Sequence, residues 1–134
     1  MSVEAIIVEG PLQAWGGGPA VDGAGAMLVF EGIVRGLEAG RVISALRYEA
    51  YEPMARKMLH ELGTQVVREH GLIRMLVQHS TGTVPAGRVS FRLVIWSVHR
   101  KESLAAADEF IALMKRDVPI WKKPVFAEEH RGKP

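Results

Sequence analysis

The stretch Val42-Ile43-Ser44-Ala45-Leu46-Arg47-Tyr48-Glu49-Ala50-Tyr51-Glu52-Pro53-Met54-Ala55-Arg56-Lys57-Met58 decides the fold, because the spacing of its apolar residues changes at Pro53. Residues 42–51 read as a strand. Beyond Pro53 the residues Met54, Met58, Leu62 and Val66 recur every four positions until Gly71, which predicts an amphipathic helix packed on a sheet. Pro53 suits the first turn of that helix, where a missing N–H costs nothing. Upstream, residues 26–35 are rich in Val, Ile and Phe, and the link Gly36-Leu37-Glu38-Ala39-Gly40 predicts a hairpin that pairs them with 42–51.

Working outward, residues 3–8 form a short strand, and Gly10-Pro11 and Gly16-Gly17-Gly18-Pro19 mark a loop without a preferred conformation. Residues 73–78 and 89–98 are the next strands, separated by the turn-rich Thr81-Gly82-Thr83-Val84-Pro85-Ala86-Gly87; in the second, Phe91, Leu93 and Ile95 share a face. From 101 to 116 the period is helical again. Leu104, Ala107, Ile111 and Met114 make the apolar stripe, widened by Phe110 and Leu113. The order β, ββ, α, ββ, α and an extended segment is an α+β pattern, unlike the regular alternation of a parallel sheet.

A length of 134 residues predicts one domain over 1–134. Hydrophobic residues at 48% and charged residues at 24% exclude a disordered or fibrous chain. No apolar run approaches the roughly 18 residues of a membrane span, and residues 1–10 lack a signal peptide's basic start and long apolar stretch, so a cytoplasmic protein is expected. The net charge of +2 is too small for a dedicated nucleic-acid binder and points to a local anion site. Cysteine is absent, which removes disulfides, thiolate metal sites and covalent chemistry through an enzyme thiol.

The polar residues of interest cluster near the end of the chain, in Lys115-Arg116-Asp117-Val118-Pro119-Ile120-Trp121-Lys122-Lys123-Pro124-Val125-Phe126. Pro119 and Pro124 exclude helix, so the segment between them is extended, with Trp121 expected as its buried apolar anchor. Successive side chains of an extended segment alternate, so only one of Lys122 and Lys123 can enter a given pocket. His99-Arg100 falls where a strand gives way to a helix, a place suited to phosphate; the alternative is a capping His beside a surface Arg. Arg35 ends a strand, where its fork could engage a planar or anionic ligand or simply be solvated. Lys115, in the last helical turn, complements the helix dipole. No phosphate loop, nucleophile elbow or His-Glu-x-x-His helix is present, and His60, His70, His79 and His130 are dispersed; neither a metal site nor a cofactor is expected.

Taken together, Phe30-Glu31-Gly32-Ile33-Val34-Arg35, Leu46-Arg47-Tyr48-Glu49-Ala50-Tyr51-Glu52-Pro53-Met54-Ala55, Val98-His99-Arg100 and Val118-Pro119-Ile120-Trp121-Lys122-Lys123 resemble the large, catalytic subunit of molybdopterin synthase. The resemblance implies an α/β hammerhead with a mixed sheet, two main helices and a small β-subdomain. It implies a homodimer within a heterotetramer, each copy binding a small ubiquitin-like sulfur carrier whose C-terminal Gly-Gly bears a thiocarboxylate. The reaction it implies converts cyclic pyranopterin monophosphate to molybdopterin, and the lack of cysteine agrees with sulfur arriving on the partner. Carried over by position, Lys115 and Lys122 are the catalytic residues, while Ile33, Val34, Arg35, His99, Arg100, Lys123 and Pro124 contact the substrate. A lysine there acts as acid or base, or stays charged and stabilises a tetrahedral adduct.

The chain departs from that family's pattern at Gly36-Leu37-Glu38-Ala39-Gly40, at Ser80 where Arg is usual, at Pro124 where an acidic residue is usual, and in the closing run His130-Arg131-Gly132-Lys133-Pro134, which lacks an aromatic-containing tail. These departures leave open a second reading, a non-catalytic relative that binds the small subunit or a pterin-like anion.

Overall fold

The computed structural model describes residues 2–18 and 20–127; the closing run from His130 to Pro134 lies outside the described residues. Among the described residues seven strands and two helices follow one another as β1 (Ser2–Glu9), β2 (Ala26–Ile33), β3 (Leu37–Glu38), β4 (Arg41–Ala50), α1 (Met54–His70), β5 (Arg74–Pro85), β6 (Val89–Ser97), α2 (Arg100–Asp117) and β7 (Ile120–Phe126). The architecture is the expected α+β, with a mixed sheet. β1 runs parallel to β5, while β2–β6, β6–β5, β5–β4, β4–β3 and β4–β7 are antiparallel. No helix among the described residues is long and apolar enough to cross a membrane.

Both helices pack on one face of β1, β5 and β6. Leu59, Val66 and Val67 of α1 and Ala106, Phe110 and Met114 of α2 close over Met75, Val77, Phe91, Leu93 and Ile95. The closest approach is at Gly63, where an added Cβ would fall 2.7 Å from Val3 Cγ1 and 3.3 Å from Met75 Sδ. Gly71 ends α1 in the left-handed region, at φ 64°, with its N–H donating to the Val67 carbonyl.

Most of the expected stripes are buried or packed on the core, Met58, Leu62 and Val66 in α1 and Ala107, Phe110, Ile111 and Met114 in α2, but each helix is turned toward further, smaller residues. In α1 the buried set is Ala55, Leu59, Gly63, Val66 and Val67, and Met54 is exposed; in α2 it is Ser103, Ala106, Ala107, Phe110 and Met114, and Leu104 is exposed. Small residues let the helices lie close to the sheet, so the burying face follows Ala and Gly as much as the longer side chains.

The opposite face of the sheet is covered by the glycine-rich loop after β1. Trp15, Val21 and Ala24 pack on Leu76, Val94 and Trp96. Arg92 fastens this loop from inside the sheet. It is 3% exposed, yet each of its three nitrogens is engaged: Nε donates to Glu31 at 2.7 Å, Nη1 to Gln78 Oε1 at 2.9 Å and Nη2 to the Gln13 carbonyl at 2.7 Å. Glu31 and Gln78 are the register partners of Arg92 on the two flanking strands, so one polar row crosses three strands and ends on the loop backbone.

Three expectations need correction. Residues 26–35 do not pair with 42–51: β2 pairs with β6, and the hairpin partner of β4 is the two-residue β3. A bulge at Gly32/Ile33 turns the chain away from the sheet before that hairpin begins. Residues 81–85 are not a turn: β5 runs on to Pro85, leaving β6 after His79 to pair with β4 from Gly82 onward. Gly82, at φ 78°, supplies the bend between the two pairings. Lastly, Trp121 is 58% exposed and anchors nothing; the segment is held as β7 by its ladder to β4 and by Val118 and Ile120 against the core.

The end of β5, with β3, β4 and β7, forms the small β-subdomain around Val34, Ile43, Leu46 and Val84. Its junction with the helix-covered sheet is where the C-terminal end of α2 arrives.

Candidate active site

A cavity of about 580 Å³ opens at that junction. Its floor is a row of rings across adjacent strands: Tyr48 of β4 meets His79 of β5 edge-on at 5.3 Å, His79 lies 5.9 Å from Phe91 of β6, and Phe91 lies 6.1 Å from Phe30 of β2. The last turn of α2 contributes Met114 and Lys115 to the wall, and β7 contributes Ile120, Trp121 and Lys122. The bulged end of β2 and the residues after it add Ile33, Val34 and Arg35. The rim is apolar and open, with Phe30, Ile33 and Trp121 each more than 40% exposed.

The two lysines reach one cavity for separate reasons. Lys115 is held by the helix end, where Val118 N–H donates to the Met114 carbonyl before the chain turns into β7. Lys122 is register partner of Tyr48, so its side chain leaves β7 on the ring-lined face; Lys123 opposes Arg47 and points to the other side. The alternation expected between Lys122 and Lys123 is thus resolved toward Lys122. Arg35, Lys115 and Lys122 form no ion pair among the described residues, and they face a cavity whose lining holds one carboxylate, that of Glu38, so positive charge is in excess there.

The remaining candidates lie elsewhere in the chain. His99 is the N-cap of α2 and Arg100 its first residue, both exposed, with His99 N–H donating to Glu102 Oε2 at 3.1 Å. The helix between Arg100 and Lys115 puts about 22 Å between that end and the lysines. Neither His99 nor Arg100 lines the cavity of its own chain, and neither does Lys123 or Pro124. Pro124 sits opposite Leu46 in β7, which has no strand on its other edge among the described residues, the position where a missing N–H is tolerated. Ser80 is fully buried, its Oγ donating to the Gly10 carbonyl at 2.7 Å, and it does not line the cavity.

Sequence reasoning did not single out Tyr48, His79, Ser90 or Phe91 as site residues. His79 is 7% exposed, and its Nδ1 donates to the Ser80 carbonyl at 2.7 Å. Burial pushes its pKa below the ordinary imidazole value, against the pull of that carbonyl, so the ring is neutral near pH 7. Tyr48 Oη and Ser90 Oγ are 2.9 Å apart, and burial raises the phenol's pKa, keeping it an O–H. The one signal in the sequence was parity: His79 follows Met75 and Val77 at spacing two, a polar residue on an otherwise buried face.

Among the described residues one group has metal-ligand spacing, Glu69, His70 and Glu109, which bridges α1 and α2 away from the cavity lining. His70 Nε2 and Glu109 Oε2 are 2.8 Å apart, and this hydrogen bond, foremost, holds the Glu109 carboxyl below its usual range.

The family model described as MoaE protein matches residues 9–117, a span that contains Arg35, His99, Arg100 and Lys115 and stops short of Lys122. The molybdopterin synthase catalytic subunit of Oryza sativa subsp. indica is 43% identical over 103 residues, 77% of this chain and 53% of the relative; the chain therefore spans about half the length of that protein. Among solved structures, molybdopterin synthase from Staphylococcus aureus superposes with a TM-score of 0.82 at 30% identity, covering 92% of this chain and 90% of that one. The complex of subunits 1 and 2 of molybdopterin-converting factor from Helicobacter pylori 26695 gives a TM-score of 0.68 at 26% identity, covering 95% and 90%. With a family match over most of its length and the same fold as these synthases, the chain belongs to the MoaE protein family.

Proposed function

We propose that this chain is the catalytic subunit of a cytoplasmic molybdopterin synthase, converting cyclic pyranopterin monophosphate to molybdopterin with sulfur carried on a small ubiquitin-like partner. One observation carries the reading: Lys115 from a helix end and Lys122 from a strand converge with Arg35 on a single cavity, three cations against the one carboxylate of Glu38, in a chain of this family. The Helicobacter pylori neighbour is a complex of two subunits, which supports a small partner here as well. The exposed apolar rim of Phe30, Ile33 and Trp121 suits the entry of an extended tail ending in Gly-Gly.

The chemistry follows from the cations. The partner's thiocarboxylate sulfur displaces an oxygen substituent from a substrate carbon, forming a thioester that links tail and substrate. Water then adds to the thioester carbonyl; the tetrahedral adduct collapses, releasing the tail as a carboxylate and leaving the sulfur on the substrate as a thiol. Negative charge develops on the thioester oxygen in that second step, where an ammonium group is worth several kcal/mol in a water-poor site. Lys122, on the rigid strand, is assigned to that oxygen, and Lys115 to the leaving oxygen of the first step.

His99 and Arg100 enter only if a second copy of the chain supplies them, because about 22 Å of helix separates them from their own lysines. We therefore place the active site at a homodimer interface, with Arg35, Lys115 and Lys122 from one copy and His99 and Arg100 from the other, the latter two holding the substrate phosphate at a helix N-terminus. The purified chain, supplied with cyclic pyranopterin monophosphate and a thiocarboxylated partner, is expected to yield a dithiolene product. Absence of product with a partner proven active on another synthase would refute the proposal.

A further inference from the structure

The cationic residues account for the anionic ends of a ligand but leave the floor of the cavity unassigned. At its centre is His79, wedged between Tyr48 and Phe91. A backbone carbonyl can only accept, so the bond to Ser80 fixes the proton on Nδ1 and leaves Nε2 as the atom with a lone pair. Nε2 has no hydrogen-bond partner among the described residues. It is not sealed in either, since among the described residues the one fully buried side-chain polar atom without a partner is Trp15 Nε1. The ring lines the cavity, and with Nδ1 turned to the Ser80 carbonyl, Nε2 is the polar atom His79 has left to offer a ligand there.

An acceptor here has a specific use. It repels phosphate and carboxylate, which Arg35, Lys115 and Lys122 attract, so the two walls sort a ligand by polarity. The rings packed on the imidazole are Tyr48, edge-on at 5.3 Å, and Phe91, tilted at 5.9 Å, and the Tyr48–Ser90 hydroxyl pair lines the same cavity, an aromatic setting with few polar groups that suits a heterocycle with an N–H on its edge. We propose that His79 is a specificity-determining residue of this pocket, its Nε2 accepting a hydrogen bond from an N–H or NH₂ group on the edge of the substrate's nitrogen heterocycle. The inference rests on the functional reading above and adds a contact on the side of the ligand opposite its charge.

Two substitutions separate this role from a structural one. In His79→Asn the amide reaches as far as Nδ1 and keeps the bond to Ser80 but has nothing at Nε2. In His79→Gln an oxygen can return to the Nε2 position. With thiocarboxylated partner and cyclic pyranopterin monophosphate, His79→Asn is expected to raise KM about 10- to 100-fold with kcat changed less than about threefold. His79→Gln should recover most of that loss, and the affinity for the partner, measured without substrate, should be unchanged in both. A wild-type KM in His79→Asn would overturn the inference, as would equal losses in the Asn and Gln variants, which would mark a packing role. A weakened partner affinity in His79→Asn would assign Nε2 to the tail's backbone N–H instead and also overturn it. If the wild-type chain makes no product, the functional reading itself fails and the inference falls with it.

Discussion

Lys122→Ala is expected to lower kcat by about a thousandfold or more, the loss typical of removing a group that stabilises charge only in the transition state. The fold should not notice. Lys122 is exposed and makes no hydrogen bond or ion pair among the described residues, so its truncation belongs with surface changes of within about 0.5 kcal/mol. Lys123→Ala is the matched control: one position along the same strand, opposite Arg47 and pointing away from the cavity, it should keep near-wild-type turnover. Single-turnover measurement of product formation, with thermal unfolding run in parallel, checks both variants. Wild-type-like rates in Lys122→Ala would remove that lysine from the mechanism, and equal losses at Lys122 and Lys123 would point to strand damage.

Arg92→Met is expected to produce the largest loss of stability. The guanidinium satisfies Glu31, Gln78 and the Gln13 carbonyl together, and a methionine of similar length leaves all three acceptors without their donor. Removing one partner of a buried ion pair costs about 3–5 kcal/mol, and because Glu31 is about one-third exposed and can rehydrate, the lower end applies. For a chain of this size, that corresponds to a fall in Tm of about 10 °C. Arg92→Lys should rescue little, since one ammonium cannot span three acceptors on two strands and a loop. The loop after β1 should also become protease-sensitive, because it loses both the bond to Gln13 and the cation over Trp15. A Tm within a few degrees of wild type would show that the polar row contributes little beyond filling space.

How much of this was legible in the sequence divides along a physical line. Local periodicity located both helices and the strands at 42–51 and 89–98, because those signals depend on residues three, four or two apart. Pairing depends on residues far apart in the chain. The link 36–40 looked like a hairpin turn, and it holds one at Ala39-Gly40, but between β3, which lies within the link, and β4; nothing local reveals that β2 crosses to β6. At 81–85 the weight given to Gly82 and Pro85 hid the β-forming Thr81, Thr83 and Val84; Val84 is fully buried, as a strand residue facing the core should be. Trp121 misled for a different reason. Its size suggested an anchor, whereas it stands exposed on the cavity rim.

The site was legible where charge marked it and illegible where it did not. Lys115, Lys122 and Arg35 are cations in apolar surroundings, and the alternation of an extended strand correctly divided Lys122 from Lys123. Tyr48, His79 and Ser90 carry no charge near neutral pH and sit inside strands, where each looks like one more residue of a sheet. Their convergence depends on the β5–β4 crossing at Gly82, which no spacing rule predicts. His99 and Arg100 show the converse: adjacent to the site in reading order, they are separated from the lysines by the full length of α2.

The most direct test of the account is complementation between two inactive variants, Lys122→Ala and Arg100→Ala. Each alone breaks both sites of a homodimer. In a dimer containing one of each, the site that draws Lys122 from the Arg100→Ala copy and Arg100 from the Lys122→Ala copy is intact. Equal amounts refolded together should therefore regain about a quarter of wild-type activity, since half of the dimers are mixed and each of these has one working site. Activity that stays at the level of the separate variants would contradict an active site shared between two copies of this chain.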